Sequence, residues 1–135
     1  MSIKFEDNSI EVISKLEKGI LNALEEASGE LETQVKNNTK VKTGRTRDSW
    51  NHKVDDENYK AYVGSNYENA IWEEFGTGIY AQNGNGRKDV PWAYQDEKGK
   101  WHRTKGKKPR KALQNAVKDL KPRIGKFFEE RFNNL

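Results

Sequence analysis

The sequence predicts an α+β domain: a small antiparallel sheet of two hairpins, packed by a long N-terminal helix and a C-terminal helix. Three observations carry this. Apolar residues recur at three- and four-residue steps from Ile13 to Val35 and again from Leu113 to Phe132, the period of a helix with one covered face. Between them, Trp50 to Val63 and Val90 to Thr104 alternate apolar with polar residues about short polar centres, the pattern of hairpins with one wet face. At 135 residues the chain suits one domain, 1–135, yet only 33% of it is hydrophobic against 34% charged. The core is therefore thin, as in a protomer that completes itself against partners.

In chain order, Met1 to Asp7 places Ile3 and Phe5 at strand spacing. Asn8, with Glu11 three residues on, makes a capping box. Ile13, Leu16, Ile20, Leu24, Ala27, Leu31 and Val35 then share one face of a helix that Asn37-Asn38 ends. Gly19 and Gly29 weaken it by about 1 kcal/mol each relative to Ala, and permit close packing or a bend. Thr43-Gly44-Arg45 is a turn into a short strand or a single helical turn. Trp50, His52 and Val54 pair with Tyr59, Ala61 and Val63 across Asp55 to Asn58. Tyr67, Ile71 and Phe75 lie on one face of a two-turn amphipathic helix, which Gly76-Thr77-Gly78 stops because glycine adopts left-handed backbone freely. Residues from about 76 to 89 form a flexible Gly- and Asn-rich loop. In the second hairpin, about Asp96 to Gly99, Trp92, Tyr94 and Trp101 make an aromatic ladder. Pro109 opens the last helix, and Pro122 within it predicts a kink or restart near Lys121.

Charge is distributed unevenly. Residues 1–39 hold four Lys against eight acids, whereas 98–111 hold eight Lys or Arg and no acid. That run, Lys98, Lys100, Arg103, Lys105, Lys107, Lys108, Arg110 and Lys111, is a solvated loop, a phosphate-neutralising face or a match for an acidic partner. With no Cys, disulfides and thiolate chemistry are excluded. No apolar run approaches 18 residues and no basic-then-apolar region opens the chain, so it is expected to be made and kept in a cytoplasm. Mean hydropathy is −1.12.

Catalysis finds little support. His52 and His102 lie fifty residues apart without ligands at metal-site spacing, Ser49 lacks the glycines of a nucleophile turn, and Glu73-Glu74 face different ways on a helix. The Gly-rich loop lacks the Lys-Ser/Thr of a phosphate loop. Glu74 is better explained as an acceptor for a neighbouring loop, or as a partner of Arg45 or Arg47. No enzyme, cofactor or metal is expected.

Three blocks carry a resemblance. Tyr67-Glu-Asn-Ala-Ile-Trp-Glu-Glu74-Phe75-Gly76-Thr77-Gly78 resembles the Phe-Gly-Thr-Gly signature of the gene-ten-product-like family of tailed-bacteriophage morphogenesis proteins. Val41-Lys-Thr43-Gly44-Arg45-Thr-Arg47-Asp48-Ser49 resembles that family's Thr-Gly-Arg-Leu-Arg-Asp-Ser. Trp101 to Leu113 is similar to its segment before the last helix, but the family's Pro-Phe-Leu is here Pro109-Arg-Lys, which removes a hydrophobic anchor. The blocks keep their order across roughly residues 10 to 120.

The resemblance implies a small antiparallel sheet with a long N-terminal helix, and a structural protein of the head-tail junction in a phage or prophage particle. It implies a neck or tail-completion role, partners among other neck, head-completion and tail proteins, a homo-oligomeric ring, and non-specific contact with passing DNA. No membrane is implied. The alternative is a small basic nucleic-acid-binding module, with the 98–111 run as groove and Trp92, Tyr94 and Trp101 as stacking platforms.

Overall fold

A computed structural model describes residues 9–39 and 44–133. The order is α1 (Ser9–Asn38), α2 (Arg45–Asp48), β1 (Trp50–Asp55), β2 (Lys60–Ser65), α3 (Glu68–Phe75), a 3-10 turn (Gly78–Tyr80), β3 (Trp92–Gln95), β4 (Trp101–Thr104) and α4 (Ala112–Asn133). The expected strand through Ile3 and Phe5, the capping residue Asn8 and Thr43 lie outside the described residues. The fold is α+β, and its hairpins stand as two separate two-stranded antiparallel sheets.

The long helices run antiparallel. Asn38 Nδ2 donates to the Ala112 carbonyl at 3.1 Å, Arg123 bridges Glu30 at 3.2 Å and Arg131 bridges Glu26 at 3.0 Å. Val35, Trp50, Ala70, Ala112 and Ala116 form the buried cluster, with Leu31, Val63 and Leu113 packed on it and Leu120 buried further along α4. Alanines at these contacts let helix backbones approach closely. The core sits where α1 ends, α3 crosses and α4 begins.

Several sequence expectations need correction. On α1, residues 11–18 are all exposed, including Ile13 and Leu16, because α4 ends soon after meeting Glu26. In α4, the helix continues through Pro122 with no restart, since Lys118, whose carbonyl loses its donor, and Pro122 both face water. α3 turns its other face inward: Ala70 and Glu74 are buried, while Ile71 and Phe75 are exposed. Tyr59 lies in the turn with φ 52, just before the start of β2. In the second hairpin, the register puts Tyr94 opposite His102 and Trp101 opposite Gln95. The stacked pair is therefore Tyr94 on His102, with ring centroids 5.3 Å apart, and Trp101 points to the opposite face.

Candidate functional site: a signature loop clasping a basic segment

Glu74 is 2% exposed. Its Oε1 accepts from the Leu113 N–H at 2.6 Å and its Oε2 from the Gln114 N–H at 3.0 Å. These donors belong to the first turn of α4, which has no intrahelical acceptors for them, and a carboxylate there also meets the positive end of the helix dipole. One helix thus supplies the cap of another across the core. Where the sequence suggests a neighbouring loop, or Arg45 or Arg47, as the partner of Glu74, its donors belong instead to the first turn of a helix, and neither arginine pairs with it. Arg45 bridges Glu97 and lies 4.6 Å from the Tyr67 ring centroid, while Arg47 binds Asp48 at 3.1 Å. Capping by Glu74 fixes the start of α4 although Pro109-Arg-Lys offers no apolar anchor.

Past Phe75 the chain turns on Gly76, φ 79, and runs against the basic segment. Thr77 N–H donates to the Lys107 carbonyl at 2.9 Å, Ile79 N–H to the Lys105 carbonyl at 3.2 Å and Arg110 N–H to the Glu73 carbonyl at 2.7 Å. In return, Lys107 N–H donates to Thr77 Oγ1 at 2.9 Å. Two glycines make the approach possible. A Cβ on Gly78 would stand 2.0 Å from the Lys105 oxygen, and one on Gly106 would stand 2.0 Å from the Thr77 oxygen. Gly106 escapes attention in the sequence because it sits inside a basic run; a lone glycine there is the available signal. Gly44, φ 82, is buried and precedes α2, the single helical turn that the Thr43 to Ser49 block forms among its described residues.

All eight cations of the segment, Lys98, Lys100, Arg103, Lys105, Lys107, Lys108, Arg110 and Lys111, are exposed. Among the described residues none of them forms an ion pair with a carboxylate. Lys107 Nζ reaches Asn69 Oδ1 at 3.4 Å, and Lys108 Nζ lies 5.8 Å from the Tyr80 ring centroid. The side chains are in water, but the backbone under Lys105 to Arg110 is fixed by the signature loop.

A family model described as "Bacteriophage HK97-gp10, putative tail-component" matches residues 5–76. That is more than half of the 135 residues. The chain belongs to this family. No curated protein and no solved structure matches it. A tail-component family carries a structural role in a virion, through contact with other phage structural proteins. In this HK97-gp10-like chain the matched stretch contains Glu74 and stops at Gly76, so the basic segment lies beyond it.

The remaining polar clusters have structural work. Asp96 Oδ1 accepts from the N–H groups of Lys98 and Lys100 at 2.9 and 2.8 Å, and Oδ2 meets His102 Nε2 at 2.8 Å. Those bonds hold the Asp96 carboxyl below its ordinary value, His102 first among them. His52 Nε2 meets Glu25 Oε1 at 2.7 Å, and its Nδ1 lies 3.5 Å from Glu32 Oε1. The Glu25 bond raises the His52 pKa against the opposing effect of burial. Among the described residues no three His, Asp or Glu side chains are placed to hold a metal ion, and no helix is long and apolar enough to cross a membrane. Outside the core, a groove of about 790 Å³ opens between the outward face of α3 (Ile71, Trp72, Phe75) and β3 (Trp92, Tyr94).

Proposed function

We propose that this protein is a structural virion-assembly component of the phage or prophage head-tail junction, serving neck or tail completion as a ring-forming protomer. Family membership supports the phage role. The observation that carries the finer reading is the set of eight exposed cations, without carboxylate partners among the described residues, on a backbone clasped by the signature loop. A positive edge of this kind suits passing duplex or an acidic face on a neighbouring ring, without base reading. Assembly takes place in the bacterial cytoplasm. Backbone bonds reach from Gly76 to Gly84, so the mobile part of the loop before assembly is 85–89; amide exchange should be fast there and slow at Thr77 and Ile79.

The test is reversal of Lys105, Lys107 and Lys108 to Glu. All three side chains are exposed, so stability should change by about 0.5 kcal/mol or less. Particle assembly should nevertheless stop at joining, leaving filled heads and free tails visible by electron microscopy. Normal yields of infectious particles from the folded variant would reduce the segment to a solvated loop.

The nucleic-acid-binding module remains a second reading, favoured by Trp101, which is 66% exposed on the same hairpin face as Arg103. It predicts single-strand binding weakened by Trp101→Ala, with a log-log salt slope near 0.9 or less per phosphate and no closed assembly.

A further inference from the structure

Among the described residues two apolar surfaces are exposed, and they lie towards opposite ends of α1. At one end, the start of α1 projects past the last contacts of α4, with Val12 52%, Ile13 54% and Leu16 37% exposed. These three residues share one helix face. At the other end is the groove walled by Ile71, Trp72, Phe75, Trp92 and Tyr94. α3, one of its walls, packs through Ala70 on Val35, near the end of α1.

The arm cannot fill its own groove. Leu16 and Asn38 are separated along one unbroken helix by about 33 Å, at about 1.5 Å per residue. The charges also match in trans. Among the described residues lining the groove there are two cations, Arg87 and Lys107, and no carboxylate. Arg87 lies 5.2 Å from the Trp92 ring centroid and 4.0 Å from the exposed Asp89. The chain leading into the arm is acidic, with Glu6 and Asp7 against Lys4 in residues 1–8, whereas within the arm Glu11 is already paired with Lys15 at 3.3 Å.

We propose that the apolar face of the α1 arm seats in the α3/β3 groove of a second copy. The contact resembles other helix-in-groove recognition, with anchors at i, i+1 and i+4 entering an aromatic trough. It is heterologous, since arm meets groove and each copy retains one of each unfilled. Repetition therefore closes a ring if the rotation permits and otherwise extends a filament. This inference rests on the ring-forming reading above and gives that reading a joint.

The experiment uses the full chain in two variants, Ile13→Asp with Leu16→Asp in the arm, and Trp72→Asp in the groove. Each sits on an exposed surface, and circular dichroism checks the fold. Measured by analytical ultracentrifugation, alone and with neighbouring neck proteins, each variant should self-associate about thirtyfold or more weakly than the parent. Mixed in equal amounts, the two should form a heterodimer that grows no further, because only one intact arm and one intact groove remain. As the chain contains no Cys, Leu16→Cys with Trp72→Cys in one chain should give a ladder of disulfide-linked oligomers on oxidation.

Closed rings unaffected by either variant, with no Cys ladder, would overturn the arm-in-groove contact and leave the ring reading standing. Open filaments that both variants abolish would sustain the contact and sink the ring. A parent that stays monomeric under every condition, with no ladder, would remove both.

Discussion

At the Asn38 end of α1 the molecule is joined by backbone: main-chain bonds tie Glu73, Thr77 and Ile79 to Arg110, Lys107 and Lys105, and glycines 78 and 106 stand where any side chain would collide. Towards the other end, α1 is held by ion pairs between side chains, Glu25 and Glu32 to His52, Glu26 to Arg131 and Glu30 to Arg123, and residues 11–18 near its start are exposed. The first kind of joint tolerates almost no substitution, because carbonyl oxygens cannot move aside as a flexible side chain can. The second can be exchanged or released at small cost, since exposed ion pairs contribute about 0–1 kcal/mol each. The family signature sits at the rigid end, which presents the basic segment. The looser end carries the arm proposed to meet another copy.

The sharpest way to break this contrast is Gly78→Ala. The residue has φ 61, and its new Cβ would meet the Lys105 oxygen at 2.0 Å, so strain and collision act together. Chemical denaturation should show a loss of about 3 kcal/mol. A change of only a few tenths would mean that the clasp yields freely and that the two ends are not different in kind.

Glu74→Ala comes next. It leaves the N–H groups of Leu113 and Gln114 without their acceptors in a buried setting, and the expected loss is about 2 kcal/mol. Glu74→Gln keeps one carbonyl oxygen but turns an amide N–H toward the second donor, so about 1 kcal/mol is expected. If the glutamine and alanine variants were equally stable and both near the parent, Glu74 would not be the cap of α4.

How far these features were legible in the sequence follows from the range of the interactions that make them. α1 ends at Asn38, as local periodicity predicts, and the β1–β2 hairpin turns at Asp56 to Tyr59, one residue later than its turn chemistry suggests. Family membership was legible from ordered blocks. That Glu74 serves Leu113 and Gln114 was not, because a carboxylate at the right place on a short helix does not name the helix it will cap. Nor was the inward face of α3: Ile71 and Phe75 would suit a core equally well, and what decides is Ala70 fitting close against Val35 and Trp50. Trp101 was misplaced for a simpler reason. A strand has period two, so the register between β3 and β4 alone decides which side of the sheet a residue occupies, and here it pairs Trp101 with Gln95.

The smallest expected effect concerns the softer end and its dependence on pH. Glu25, with Glu32 beside it, raises the His52 pKa above its ordinary value of 6.5. A histidine whose folded pKa is raised adds stability that is fully present below the unfolded value and disappears as pH climbs through the folded one. Stability measured by urea should therefore decline from about pH 6.5 upward over the window opened by that upward shift. His52→Gln should flatten this decline without touching the acid limb. That limb belongs to Asp55 and Asp96, whose lowered pKa values add stability that is lost as pH falls through them below the ordinary 3.8. The rigid end should show no such dependence: Gly78→Ala should shift the whole profile down and leave its shape unchanged. An alkaline decline that survives His52→Gln would place the pH sensitivity elsewhere, and the distinction between a backbone joint and a side-chain joint would lose its clearest signature.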